Sequence, residues 1–302
     1  MRANKPHRFS LVIWFLLVSL PIFVSGVFGA SGLTLQPLST GTFKANYADL
    51  VTGGTSETVR LPIPVYLIRH PQGVVLFDSG LGTRFDREVS GWWVNQLLEI
   101  FLPYRLLPKE TAVQQLRELG IPPGAVTTVV VSHLHFDHAG GLRDFPQAQV
   151  VVSRAEWDNA QVGRWRARMR GIIKEQLEGL KIWPIDYQPG TAYSSFEASL
   201  DLFGDGSLLL LSTPGHTPGH QSLLVTTGSG KKILLTGDAV WVRENYEQPS
   251  PKGWKVRLVG EETEEAWRTT LAIRQFHQDH PEVLIIPGHD PHLWETLPKV
   301  FE

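Results

Sequence analysis

Apolar residues along this chain gather in short runs closed by Gly, Pro or a charged residue, and such runs mark strands. They fall at Leu61–Arg69 and Gly73–Asp78, paired around the turn His70-Pro71-Gln72-Gly73, and at Val126–Val131 and Gln149–Ser153. Leu208–Ser212, Gln221–Thr226 and Lys232–Thr236 come next, separated by Gly-rich turns, and Val283–Ile286 is the last. Between them lie stretches with helical signals. Trp92–Leu102 is one, and Lys109–Leu119 is another, stopped by Gly120 with Pro122 beyond it. Arg154–Gln161 is a third, and Glu262–Gln278 carries acidic residues in its first turn, as the helix dipole favours. Hairpins combined with strand–helix alternation predict two sheets covered by helices. From Ser31 onward the pattern is that of one domain, residues 31–302, without repeats or low-complexity linkers.

The first 30 residues have a different pattern. Arg2, Lys5 and Arg8 precede an almost unbroken apolar run, Leu11–Leu20, which Pro21 interrupts before Ile22–Ala30 continues with small residues. Residues 1–30 therefore read as a signal peptide or an N-terminal membrane anchor. Residues 9–30 are long enough to attach the chain to a bilayer. Positive charge ahead of the run predicts that the rest of the chain is exported, to a periplasmic or extracellular location or anchored in an inner membrane. Removing this segment takes away three basic residues and no acidic one, moving the net charge from −2 to −5.

With 302 residues and 42% hydrophobic content, the chain can bury a large core. Its slightly negative charge gives no reason to expect a nucleic-acid partner. The absence of cysteine excludes disulfides, thiolate metal ligands, a Cys nucleophile and a lipidated N-terminal Cys.

Candidate chemistry is concentrated at His133-Leu134-His135-Phe136-Asp137-His138, directly after the run Val126–Val131. Strand ends of open α/β sheets are where ligands bind. His133 and His135 project to one side of an extended segment, and Gly140-Gly141 then permits a sharp turn. Imidazoles with a carboxylate suit zinc and its divalent neighbours. Three later pieces also come directly after apolar runs: Thr213-Pro214-Gly215-His216-Thr217-Pro218-Gly219-His220, Thr236-Gly237-Asp238, and Ile286-Pro287-Gly288-His289-Asp290. A single His after Pro-Gly is a turn residue as readily as a ligand. Together, however, the pieces supply five His and two Asp, too many donors for one tetrahedral zinc and suited to two metals sharing a carboxylate. Two divalent cations are expected, with zinc the default and iron or manganese compatible with the same donors.

The order His-x-His-x-Asp-His, Pro-Gly-His, Gly-Asp, Pro-Gly-His resembles the metallo-β-lactamase superfamily over Leu61–His289. The resemblance implies an α+β fold, an αββα sandwich of two mixed sheets flanked by helices with a dinuclear site at its edge. It also implies that His133, His135 and His216 hold one metal, that Asp137, His138 and His289 hold the other, and that Asp238 bridges them around a shared hydroxide. Asp78 and His220 match positions that orient ligands from behind. Classical β-lactamases place a Cys where this chain has Asp238. Glyoxalase II-like thioesterases carry a C-terminal helical portion, whereas 13 residues come after His289 here. Leu61–Gly80 and Val131–Gly141 look most like the N-acyl homoserine lactonases. The expected activity is thus hydrolysis of a lactone or related ester, with Asp137 and Asp238 as catalytic residues. Asp137 would orient the hydroxide and pass its proton to the leaving group. One departure stands out: those lactonases commonly have a Tyr three residues after the bridging Asp, and this chain has Trp241, with Tyr246 five residues further on. A phosphotriesterase-like hydrolase of the same fold is the alternative, and a non-catalytic metal-binding envelope protein the more distant one.

Phe85, Trp92, Trp93, Phe101 and Tyr104 are aromatics that either line an acyl-chain pocket or lid, or pack the core or rest on a membrane beside the anchor. Arg164, Arg166, Arg168 and Arg170 scatter around a helix and read as a solvated face. His7, His70, His277, His280 and His292 require no functional role. The oligomeric state leaves no trace in the sequence.

Overall fold

The computed structural model describes residues 32–89, 103–249 and 264–302. The segment 1–30, the helix expected at Trp92–Leu102 and the first residues of the one expected at Glu262–Gln278 lie outside these ranges. Strands β1 (Thr34–Asn46), β2 (Thr58–His70), β3 (Gly73–Phe77), β4 (Tyr104–Arg105), β5 (Val126–Val130), β6 (Gln149–Ser153) and β7 (Lys181–Ile185) form one sheet. Its strand order is β4-β1-β2-β3-β5-β6-β7. Strands β8 (Ser199–Asp201), β9 (Leu208–Ser212), β10 (Gln221–Thr226), β11 (Lys232–Leu235) and β12 (Leu284–Ile286) form the second, in the order β12-β11-β10-β9-β8. Both sheets are mixed. β1, β2 and β3 pair antiparallel, whereas β3, β5, β6 and β7 run parallel. β8 to β11 are antiparallel and β12 lies parallel to β11.

Side-chain alternation sorts these strands into layers. Tyr66, Ile68, Val75, Phe77, Val130 and Val151 meet Leu210, Leu223, Val225, Ile233, Leu235 and Ile286 between the sheets. On the outer face of the first sheet, Val65, Leu67, Leu76, Val129 and Val150 pack against Val113 and Leu116 of the helix Ala112–Glu118. Leu211, Leu224, Leu234 and Ile285 pack against Ile273 and Phe276 of the helix Glu264–Asp279 on the outer face of the second. Burial on both faces explains why the central strands read as continuous apolar runs. The result is the αββα sandwich, and each fully buried side chain in it, Phe77 for example, contributes roughly 1.5–3 kcal/mol.

Four strands had no signal in the hydrophobic pattern: β1, β4, β7 and β8. β1 contains Pro37 and Gly41, and β7 contains Pro184; both lie at or next to a sheet edge, where a missing N–H is tolerated. Gly41, at φ +138, sits at a register shift between Ser39 and Thr42 that bends β1. The helix expected over Lys109–Leu119 is divided, because Thr111 is extended: a 3-10 turn at Pro108–Glu110 precedes Ala112–Glu118. Gly120 ends it at φ +74, as expected. Among the described residues no helix is long and apolar enough to cross a membrane.

The C-terminal ends of β3, β5, β9, β11 and β12 meet at one end of the sandwich. At the opposite end, the backbone of Leu35 pairs with that of Phe301, and the Leu33 carbonyl accepts the Gly228 N–H. Residue 32 therefore enters the fold at the end remote from the strand termini that carry the candidate ligands.

Candidate metal centre

β5 stops at Val130 and the chain passes through Ser132–Leu134 into a single helical turn, Phe136–Ala139, so that Asp137 and His138 occupy its first turn. Gly141 lets this turn press on the end of β3, since a Cβ there would collide with the Ser79 carbonyl oxygen. His216 comes from the loop between β9 and β10, Asp238 from the 3-10 turn after β11 and His289 from the end of β12.

All seven candidate ligands converge. Ligand atoms of His133, His135 and His216 lie within 4.8 Å of one another, as do those of His133, His138 and Asp238 and those of Asp137, His138 and His289. His216 Nε2 is 3.0 Å from both His133 Nε2 and His135 Nδ1. Asp238 spans the two groups. Its Oδ2 is 3.4 Å from His216 Nε2, and its Oδ1 is 3.1 Å from His138 Nε2 and 3.2 Å from His289 Nε2. Asp137 Oδ2 is 3.4 Å from His138 Nε2 and 3.7 Å from His289 Nε2. His133, Asp137, His138, Asp238 and His289 are buried, and His135 and His216 are partly buried, the His216 side chain almost completely.

The surrounding hydrogen bonds aim these nitrogens inward. Asp78 Oδ2 accepts from His138 Nδ1 at 2.8 Å and from the Ser132 hydroxyl at 2.9 Å, and Ser132 Oγ lies 3.0 Å from His133 Nδ1. Since the Ser132 proton goes to Asp78, Oγ accepts from His133. His289 Nδ1 donates to the Pro62 carbonyl at 2.8 Å. In each of these imidazoles the outer nitrogen donates outward, so Nε2 is the atom left to face the cluster as a ligand. His220 does not reach the cluster; its Nε2 accepts the backbone N–H of Asp238 at 3.0 Å and its Nδ1 pairs with Thr213 Oγ1 at 2.9 Å. Asp78 and His220 thus stand behind the candidate ligands.

Charge obeys the same geometry. Burial and the neighbouring imidazoles hold His133 well below the ordinary histidine range, and burial lowers His135. Burial would lower His138 too, but the carboxylates of Asp238, Asp137 and Asp78 hold it well above that range. His289 is raised, against its burial, by Asp238. Against burial, His289 and His138 hold Asp238 well below the usual carboxylate range, and His138 lowers Asp137. A buried set of this kind fits divalent cations. His133 and His216 face each other nitrogen to nitrogen, and the buried Asp238 and Asp137 carboxylates crowd around the His138 and His289 Nε2 atoms. A cation between them converts these repulsions into coordination, and the nitrogen and oxygen donors suit zinc.

Several supporting residues lacked any local signal. Asn245 accepts the N–H groups of Trp241 and Val242 and donates to the Leu50 carbonyl. Asp290 accepts from Arg243, His292 and Leu293 and ties the His289 loop to the Trp241 loop. Glu156 also reaches the ligand loops. Trp241 is nearly buried, its ring centroid 5.2 Å from that of His289 and 6.5 Å from that of His216. Tyr246 is buried with Ile273 and Phe276, its ring against His277, so it does not stand in for a phenol at the centre. Phe85 packs on Phe136 and Tyr104 as core, while Trp92, Trp93 and Phe101 lie outside the described residues. The arginines depart from the solvated-face expectation at Arg168, which is buried and donates to the Glu88 carbonyl and to Glu175. His70 is likewise buried, paired with Asp205 and Ser207 and stacked on Phe203.

The family described as the metallo-beta-lactamase superfamily matches residues 58–289. N-acyl homoserine lactonase AttM of Rhizobium radiobacter is 32% identical over 274 residues, covering 89% of this chain and 98% of that protein. A crystal structure of a B. thuringiensis AiiA variant with N-decanoyl-L-homoserine bound at its active site superposes with a TM-score of 0.70. It is 24% identical, over 88% of this chain and 96% of that one. AidC, described as a dizinc quorum-quenching lactonase in complex with a product, superposes with a TM-score of 0.58 at 17% identity, over 90% of each chain.

Proposed function

The chain belongs to the metallo-beta-lactamase superfamily, and we propose that it is an exported, dinuclear metal-dependent hydrolase that opens lactones of the N-acyl homoserine lactone type. The observation that carries this reading is the Asp238 carboxylate, with one oxygen toward His216 and the other toward His138 and His289. The Rhizobium radiobacter lactonase, 32% identical across nearly its full length, supports the substrate class.

Two divalent cations held by His133, His135 and His216 and by Asp137, His138 and His289 would acidify a water and polarise an ester carbonyl. The remaining chemistry belongs to the chain. Asp238 keeps both donor sets at a fixed separation. Asp137 is buried and held in its ionised form, so it accepts the proton of the attacking water and returns it to the alkoxide as the ring opens. Trp241 packs against both His216 and His289 and limits the access of bulk water. Export is inferred from Arg2, Lys5 and Arg8 ahead of the apolar run of residues 9–30. Protease accessibility of the domain in spheroplasts tests it, and protection until lysis would contradict it.

The deciding assay is ring opening of a long-chain N-acyl homoserine lactone by the zinc-loaded chain, monitored as acid release. Turnover abolished by a chelator and restored by zinc is expected. No turnover in a sample with two metals per chain would overturn the lactone assignment in favour of phosphotriesters or other esters.

A further inference from the structure

A carboxylate that belongs to none of the ligand motifs joins the loop bearing His133 and His135 to the loop bearing His216. Glu156 lies in the first turn of the helix Arg154–Ala160, directly after β6, and is fully buried. Its Oε1 accepts the N–H of Leu134 at 2.9 Å, between His133 and His135. Its Oε2 accepts the N–H of Gly219 at 3.2 Å, in the loop that carries His216. Ser153 at the helix start completes the junction: its hydroxyl accepts the Glu156 N–H at 3.1 Å and donates to the Gly219 carbonyl at 2.5 Å. The contact is close enough to require glycine, because a Cβ at 219 would collide with the Glu156 nitrogen.

Burying a carboxylate is costly, and burial raises the Glu156 pKa. Two backbone donors from different loops offset that cost only while both loops hold their positions. We infer that Glu156 is the positioning residue that sets the separation of the His133/His135 loop from the His216 loop, and so the metal affinity of that histidine set. The other set, Asp137, His138 and His289, has its own direct braces, Asp78 on His138 and the Pro62 carbonyl on His289, and neither of these touches the Glu156 junction. The inference rests on the proposed metal centre. It extends that reading by naming the residue on which one of the two metals selectively depends.

Stepwise zinc titration of the metal-free full chain by calorimetry tests it, with His216→Ala and His289→Ala identifying which step belongs to which set. In Glu156→Gln the amide keeps the size but turns an N–H donor toward one of the backbone donors. The step missing in His216→Ala should weaken by about 10–100-fold, while the step missing in His289→Ala stays within about threefold of wild type. Glu156→Asp, too short to reach both loops, should weaken the same step. Two unchanged steps in Glu156→Gln, equal weakening of both, or wild-type binding in Glu156→Asp would each overturn the inference. A wild-type chain that binds no zinc would instead overturn the metal reading itself.

Discussion

The backbone N–H of Asp238 donates to Nε2 of His220 at 3.0 Å, and that bond fixes the turn from which the Asp238 carboxylate reaches both nitrogen clusters. Peptide and side chain of one residue are thereby held from opposite sides. Asp238→Asn keeps the size of the side chain and its bond to His220 but replaces one shared oxygen with an N–H donor. The variant should fold normally, bind fewer than two metals per chain and lose more activity than the roughly 10–100-fold cost of removing an outer hydrogen-bond partner. Metal analysis of the purified variant beside its turnover checks this. Full occupancy with full activity would remove Asp238 from the bridging position.

Asp78 combines two demands at one position. It receives His138 Nδ1 and the Ser132 hydroxyl, and its backbone is left-handed at φ +61. Asn tolerates that conformation, whereas Ala is strained there by about 1–2 kcal/mol. Asp78→Asn should therefore weaken metal binding by about 10–100-fold with little change in Tm, and Asp78→Ala should lose the same affinity and melt earlier. Equal Tm values for the two variants would argue against strain at Asp78.

The ligand set was legible because every member lies directly beyond an apolar run, so that reading the strands also located their C-terminal ends. His133, His216, Asp238 and His289 are far apart in sequence, yet each stands where a strand gives way to a loop. Glu156 escaped that logic. Its spacing from Ser153 is that of a capping box, which makes a glutamate look like a helix-start residue. The structure makes only the Ser153 half of the box, and the carboxylate turns to Leu134 and Gly219, contacts that no local pattern encodes. Asn245 and Asp290 were hidden for the same reason. β1 and β7 carry no continuous apolar run, and Pro37 and Pro184 fit within them only because these strands lie at or next to a sheet edge.

Removing the metals should give the protein a stability maximum in pH that the loaded form lacks on one side. In the metal-free cluster Asp238 and Asp137 are depressed, so their stabilisation is present above the carboxylate range and fades as pH falls through their folded values. His133 and His135 are also depressed and oppose folding as pH falls below 6.5. His138 and His289 are raised, so their contribution is complete below 6.5 and is lost as pH rises through their folded values. The Tm of the apo protein should therefore peak near the ordinary imidazole range and decline on both sides. Zinc-loaded protein, with every histidine deprotonated as a ligand, should lose the alkaline decline and keep the acid one. Thermal melts of both forms from about pH 5 to 9 check this, and an alkaline decline that persists with zinc would contradict it.

Of the two aromatics after Asp238, Trp241 faces the cluster and Tyr246 faces the core. The indole of Trp241 sits edge-on to His289 and His216. Tyr246 is enclosed by Ile273, Phe276 and His277, and burial pushes its hydroxyl far above the ordinary tyrosine range. Tyr246→Phe should therefore hydrolyse a lactone at the wild-type rate, with a stability loss of about 1 kcal/mol at most. Trp241→Phe removes one ring from the wall while preserving an aromatic face. It should keep the wild-type metal content, and its kcat/KM should shift more for long acyl chains than for short ones, because the lost area is apolar. A catalytic defect in Tyr246→Phe, with Trp241→Phe indistinguishable from wild type, would reverse the assignment. That result would mean that the loop after Asp238 rearranges when substrate binds, bringing the phenol out of the core to the cluster.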